Sequence, residues 1–147
     1  MLIAQLNATS NDDAWKAFVN CQLGKDKSQF DFVASRVLNK QFAINYDGTL
    51  TNLAGRVWTS NALYLNYDPV PLVGFTWRSE LFDDSKNAVG VGSTVFQNTV
   101  SANFHIAKFT IIPELRYDNA RQKIFINSSG NAIGSGASFL IAAVYKW

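Results

Sequence analysis

The sequence predicts an all-β fold: an antiparallel up-and-down transmembrane β-barrel of about eight or nine strands, in one domain over residues 1–147. Three observations carry this. Apolar and polar residues alternate with period two along most of the chain, which marks strands with two unlike faces. Aromatics are abundant, with eleven Phe, five Tyr and four Trp, while charged residues make up only 16%, against about a quarter in ordinary domains. The final stretch, Ala137 to Trp147, places Ala137, Phe139, Ile141, Ala143, Tyr145 and Trp147 on one face. Chain termini usually fray into water. A spanning strand that stops at a membrane interface has a physical use for an aromatic ring there.

In chain order, Leu2, Ala4, Leu6 and Ala8 alternate with Ile3, Gln5, Asn7 and Thr9, and Asn11-Asp12-Asp13 is a turn. Trp15, Ala17, Val19, Cys21 and Leu23 form the next apolar face. Gly24 to Lys27 is a polar break before Phe30, Phe32 and Ala34. A short connection leads to Phe42, Ile44 and Tyr46, and Asp47-Gly48 is expected to open a loop to Arg56. Leu63, Leu65 and Tyr67 then oppose Ser60, Tyr64 and Asn66, with Asp68-Pro69-Val70 as a tight turn. Val73, Phe75, Trp77 and Leu81 oppose Gly74, Thr76, Arg78 and Glu80. After a Gly- and Ser-rich loop to Ser93, Phe96, Val100, Ala102, Phe104 and Ile106 share a face. Beyond Ala107-Lys108, Phe109, Ile111, Pro113, Leu115 and Tyr117 oppose Thr110, Ile112, Glu114, Arg116 and Asp118. Pro113 cannot donate to a ladder, so a bulge or a locally unpaired site is expected there. A long loop, Asn119 to Gly136, delivers the last strand.

Several classes fall away. No apolar run approaches the roughly 20 residues of a spanning helix, whereas strands of about 9 to 11 remain allowed. A net charge of +2 is too small and scattered for a nucleic-acid partner. One cysteine, Cys21, excludes an internal disulfide and a thiolate cluster. One histidine excludes a histidine metal cluster. No cofactor is implied. The N-terminus lacks a basic region and an apolar segment of secretory length.

Alternation alone leaves the wet side open, because inside and outside exchange. The bulk of Phe75, Trp77, Phe96, Phe104, Phe109 and Phe139 favours lipid outside, since the interior of a small soluble barrel barely holds ordinary side chains. Tyr67, Phe109, Tyr145 and Trp147 are the expected membrane-interface aromatics. Arg78, Glu80, Glu114, Arg116 and Asp118 are the expected lumen-lining charges, with Lys108 and Lys146 weaker candidates.

Asn61 to Tyr67, Phe75 to Asp84, Pro113 to Asp118 and Ala142 to Tyr145 resemble the beta-barrel porin-2, OmpL-like family of Gram-negative outer membranes. The resemblance covers Phe30 to Trp147. It implies an outer-membrane barrel, a diffusion channel and no catalytic motif. Family members are longer, so the chain is expected to be the C-terminal part of such a barrel. About nine strands would also put Met1 outside the cell, whereas complete barrels have an even number.

The expected function is porin-like passive diffusion of small polar solutes or ions, with outer-membrane lipid, solutes and further copies of the chain (a homo-oligomer) as partners. One alternative is a structural or adhesive barrel with a plugged lumen and binding loops. Another is a soluble lipocalin-like carrier, which a cavity lined by Phe75, Trp77, Phe104 and Phe139 would establish. An enzyme is not expected. Ser101, Asn103 and His105 share a face, but strand neighbours two apart stand about 7 Å from each other, and Ser101 has no nucleophile-elbow glycines. Asp83, Asp84 and Ser85 to Asn87 lack a twelve-residue calcium pattern, and Asn127-Ser128-Ser129 is a polar surface segment.

Overall fold

Sheet order follows chain order. A computed structural model describes all of residues 1–147 and contains strands β1 (Leu2–Thr9), β2 (Trp15–Leu23), β3 (Lys27–Val37), β4 (Phe42–Leu53), β5 (Arg56–Val70), β6 (Val73–Asp83), β7 (Thr94–Ile106), β8 (Phe109–Ala120), β9 (Phe125–Ile126), β10 (Ala132–Ile133) and β11 (Ser135–Tyr145). Nine of them form one antiparallel sheet, β1 to β8 and then β11, while β9 and β10 pair as a small separate hairpin. β1 and β11 are the edges and do not pair with each other, so the up-and-down sheet is open.

All connections of one kind lie at one end. Ser10 to Ala14, Leu38 to Gln41, Pro71-Leu72, Ala107-Lys108 and the C-terminus form the turn end. The opposite, loop end carries two tight turns and the two long segments, Asp84 to Ser93 and Arg121 to Gly134. The expected loop from Asp47 to Arg56 is absent. β4 runs through Asp47-Gly48 to Leu53, and the turn is Ala54-Gly55, both at positive φ (48° and 86°). Two such residues suit the twist of a two-residue hairpin, and Asn52 Oδ1 accepts from Gly55 N at 2.9 Å. Gly48 is needed for space: a Cβ there would lie 2.5 Å from the Tyr46 hydroxyl. The Tyr46 ring therefore lies along the strand over Gly48, and its hydroxyl donates to Asn61 Oδ1 at 2.7 Å. Tyr46→Phe would leave that amide on the convex face without its hydroxyl partner. We expect it to cost about 1–2 kcal/mol in urea unfolding, and a neutral result would remove this role.

The turn expected at Asp68 to Val70 also shifts. β5 continues to Val70, the register slips between Tyr67 and Val70, and the chain turns at Pro71-Leu72. Pro69 sits in that bulge, where a missing donor is harmless. At Pro113 the unpaired alternative holds. The β7–β8 pairing breaks between Ser101↔Glu114 and Phe104↔Ile111 without a register change, while Pro113 keeps its place opposite Ile141 of β11.

Parity separates the faces as the pattern predicted, and burial shows which is which. Only nine residues are buried, three of them apolar: Ala62, Val95 and Ala120. The accessible surface is 9958 Å², where a compact monomer of this mass exposes about 7,500 Å². On β7, Phe96, Val100 and Phe104 are exposed, while Val95 and Thr99 on the other face are buried. The same alternation on β6 exposes Phe75, Trp77 and Leu81 and buries Gly74 and Glu80. The sheet therefore curls with its polar face concave and its apolar face convex. Phe75, Trp77, Phe104 and Phe139 all stand on the exposed convex side, so the apolar cavity that a soluble carrier requires is not formed. Apolar outside and polar inside is the wall of a transmembrane β-barrel.

Candidate functional site

The concave face of β4 to β8 is the site. Because partners directly opposite share a face, the register sorts its residues into rows across the sheet. One row runs Lys16, Ser35, Asn45, Tyr64, Arg78, Thr99, Arg116 and Ser138. The next, toward the loop end, carries Asp47, Ala62, Glu80, Gln97, Asp118 and Gly136. A third, toward the turn end, holds Asn66, Thr76, Ser101 and Glu114. Cations and anions thus occupy adjacent rows, and opposite charges do not face each other across strands.

Ion pairs form along strands instead. Arg78 pairs with Glu80, two residues on. Arg116 Nε donates to both oxygens of Asp118, at 2.8 and 3.0 Å. Glu80, only 7% exposed, also accepts from Ser60 Oγ at 2.6 Å. The Arg78 guanidinium sits 5.7 Å from the centre of the Tyr64 ring, within cation–π range. Its Nε is buried without a protein partner. Neighbouring strands lie about 4.8 Å apart, which sets Arg78 and Arg116 roughly 10 Å from each other with buried Thr99 between them. Glu114 makes no ion pair. Lys108 lies in the β7–β8 turn, where its carbonyl accepts from Lys146 N at 2.9 Å, away from the rows.

The aromatics at the turn end gather on the convex face. Tyr67 stacks on Phe42 at 4.5 Å and on Phe75 at 6.4 Å between centroids. Phe109 meets Tyr145 at 4.9 Å, and Trp147 is 96% exposed. Phe42 and Phe75 were legible as outward residues, but their junction with Tyr67 depends on the register of β4, β5 and β6.

Ser101, Asn103 and His105 do not assemble. His105 Nδ1 is 3.0 Å from Thr110 Oγ1 on the next strand, and Ser101 lies between Thr76 and Glu114. Asp84 is likewise committed elsewhere. Its oxygens accept from the backbone N–H of Ala88 (2.5 Å), Val89 (3.2 Å), Val91 (2.9 Å) and Gly92 (3.2 Å), so its loop is folded around the carboxylate, with no open edge for a cation. Burial pushes this carboxyl up, but the backbone donors outweigh it and hold the pKa below the ordinary 3.8. They can do so because Asp84, though sealed from water, lies under a thin cover of loop backbone.

An open, curled antiparallel sheet with an apolar convex face and a charged concave one defines the class: a porin-like β-barrel wall. The family model described as "Putative beta-barrel porin-2, OmpL-like" matches residues 3–147. The chain belongs to that family, and the match begins well before Phe30, where the recognisable residues start. No curated protein and no solved structure matches the chain. The family is one of porin-like barrels and not of enzymes, and membership points to an outer-membrane channel.

Proposed function

We propose that this protein forms part of the wall of a passive channel in a Gram-negative outer membrane, admitting small polar solutes and ions past a charged lumen. The observation that carries this reading is the pairing of two adjacent charge rows on the concave face of β4 to β8 with a mid-strand convex band behind them that carries no charge and is apolar apart from Asn61, Ser79 and Asn98. The convex residues Leu65, Trp77, Val100, Leu115 and Phe139 meet lipid. Tyr67, Phe109, Tyr145 and Trp147 sit at the membrane boundary, with Phe42 and Phe75 extending the belt. Arg78, Glu80, Glu114, Arg116 and Asp118 line the lumen, and the separation of the rows gives a solute with two charges a preferred orientation.

Single-channel recording in planar bilayers tests it. Ohmic steps are expected, and Arg78→Ala or Arg116→Ala should shift the reversal potential toward cations. Removing one charge from a wet wall is worth about 1 kcal/mol, roughly fivefold in ion preference, at low salt and less at high salt. Folded, inserted protein that never conducts even when its β1 and β11 edges are paired, with each other or with further strands, would overturn the channel and favour a plugged barrel whose loops bind a partner.

A further inference from the structure

The long β8–β11 connection does not project away from the sheet. It leaves β8 tied to the neighbouring loop, with Gln122 N donating to Ser93 Oγ at 3.0 Å and Arg121 N to Thr94 O at 2.9 Å. It returns through Ala120 N to Gly134 O at 2.7 Å. Between these ties, the β9–β10 hairpin folds back over the concave face. The Phe125 ring lies where a Cβ on Gly136 would meet it, at 3.7 and 3.8 Å, and Gly136 is the concave-face partner of Asp118. An open pocket of about 260 Å³ lies beneath. Phe82, Ile124 and Phe125 supply its apolar wall, and Gln97, Arg116 and Asp118 its polar floor.

The geometry points to a solute subsite at the loop-end mouth of the concave face, fitted to a monocarboxylate with an aromatic or similarly bulky apolar body. Asp118 occupies Arg116 Nε, which fixes the guanidinium plane and leaves its Nη edge to receive a carboxylate in bidentate fashion. Asp118 is therefore a positioning residue. The rings of Phe82 and Phe125 give the apolar body an apolar surface to lie against, and Gln97 offers a further polar contact. A short, fully polar anion gains nothing from that wall.

This assignment rests on the channel reading, and its test separates the two. Titrate the full chain, refolded in detergent micelles, with 4-fluorobenzoate by fluorine NMR, using trifluoroacetate as the control without an apolar body, and record KCl conductance in parallel. The aromatic acid should bind at least about tenfold more tightly than the control, the usual range for an apolar pocket contact. Phe125→Ala and Ile124→Ser should each weaken it several-fold without unfolding the barrel, as judged by retained heat-modifiable mobility on gels. Arg116→Met should abolish it. Equal affinity for both acids, or binding indifferent to Phe125 and Ile124, would overturn the subsite. Conductance without aromatic-acid binding would also overturn it while leaving the channel intact.

Discussion

Val100→Arg should destabilise the membrane-inserted protein by about 2–4 kcal/mol, whereas Ser101→Arg, its immediate neighbour, should stay within about 0.5 kcal/mol of the parent. The two residues differ only in face. Val100 is 54% exposed on the convex side, between Trp77 and Leu115 in the middle of its row. With lipid against the convex face, a guanidinium there would lose its hydration, and that loss is the cost. Ser101 lies on the concave face opposite Glu114, which makes no ion pair in the parent and would accept the new cation. Urea titration of folding into phosphocholine vesicles reads both numbers. Equal losses from the two substitutions would mean that the convex face does not meet lipid, and the whole assignment of sides would fail.

Asp84→Ala should release the β6–β7 loop. Four backbone N–H groups converge on that carboxylate, and hydrogen bonds to a charged acceptor contribute about 1.5–3 kcal/mol each. They share one acceptor and do not add, so a loss of about 3–5 kcal/mol in local order is expected. Amide exchange at Ala88, Val91 and Gly92 should rise toward that of an open loop, and trypsin should gain access at Lys86. The pH dependence follows from the direction of the shift. The folded carboxyl titrates below its ordinary 3.8, so its contribution is complete above about pH 4 and is lost as pH falls through the lower, folded value. Protection that survives acid, or the alanine substitution, would show that other contacts hold the loop. Arg56, whose Nη1 donates to Asn87 O at 3.2 Å, would be the first to examine.

The order of magnitude of these effects explains why a chain with three buried apolar residues holds a defined fold. Its stability comes from the strand ladders, from polar pairs on the concave face and from loops knit by their own backbone, with the apolar face left for the surrounding phase. Tyr46 over Gly48 repeats that logic on the convex side, where the one amide in reach, Asn61, is satisfied by a tyrosine hydroxyl.

Period-two alternation by itself determined that the chain is all strand, which residues share a face, and that Arg78, Glu80, Glu114, Arg116 and Asp118 lie together on the polar one, because a strand's side chains must alternate whatever the strand pairs with. Parity is blind to inside and outside, and it was the bulk of aromatics such as Phe75 and Trp77 that pointed the apolar face outward; the curl of the whole sheet makes that face convex. The tertiary structure alone decided the rest. The segregation of charge into rows depends on register, set by turns such as Ala54-Gly55 and by the slip between Tyr67 and Val70, which the sequence pattern placed wrongly or not at all. The pairing of Arg116 with Asp118 along one strand was within reach of the sequence, but their meeting with Phe125 was not. That contact joins a loop to the sheet across a fold of the chain, and long-range packing of this kind leaves no period in the residues that make it.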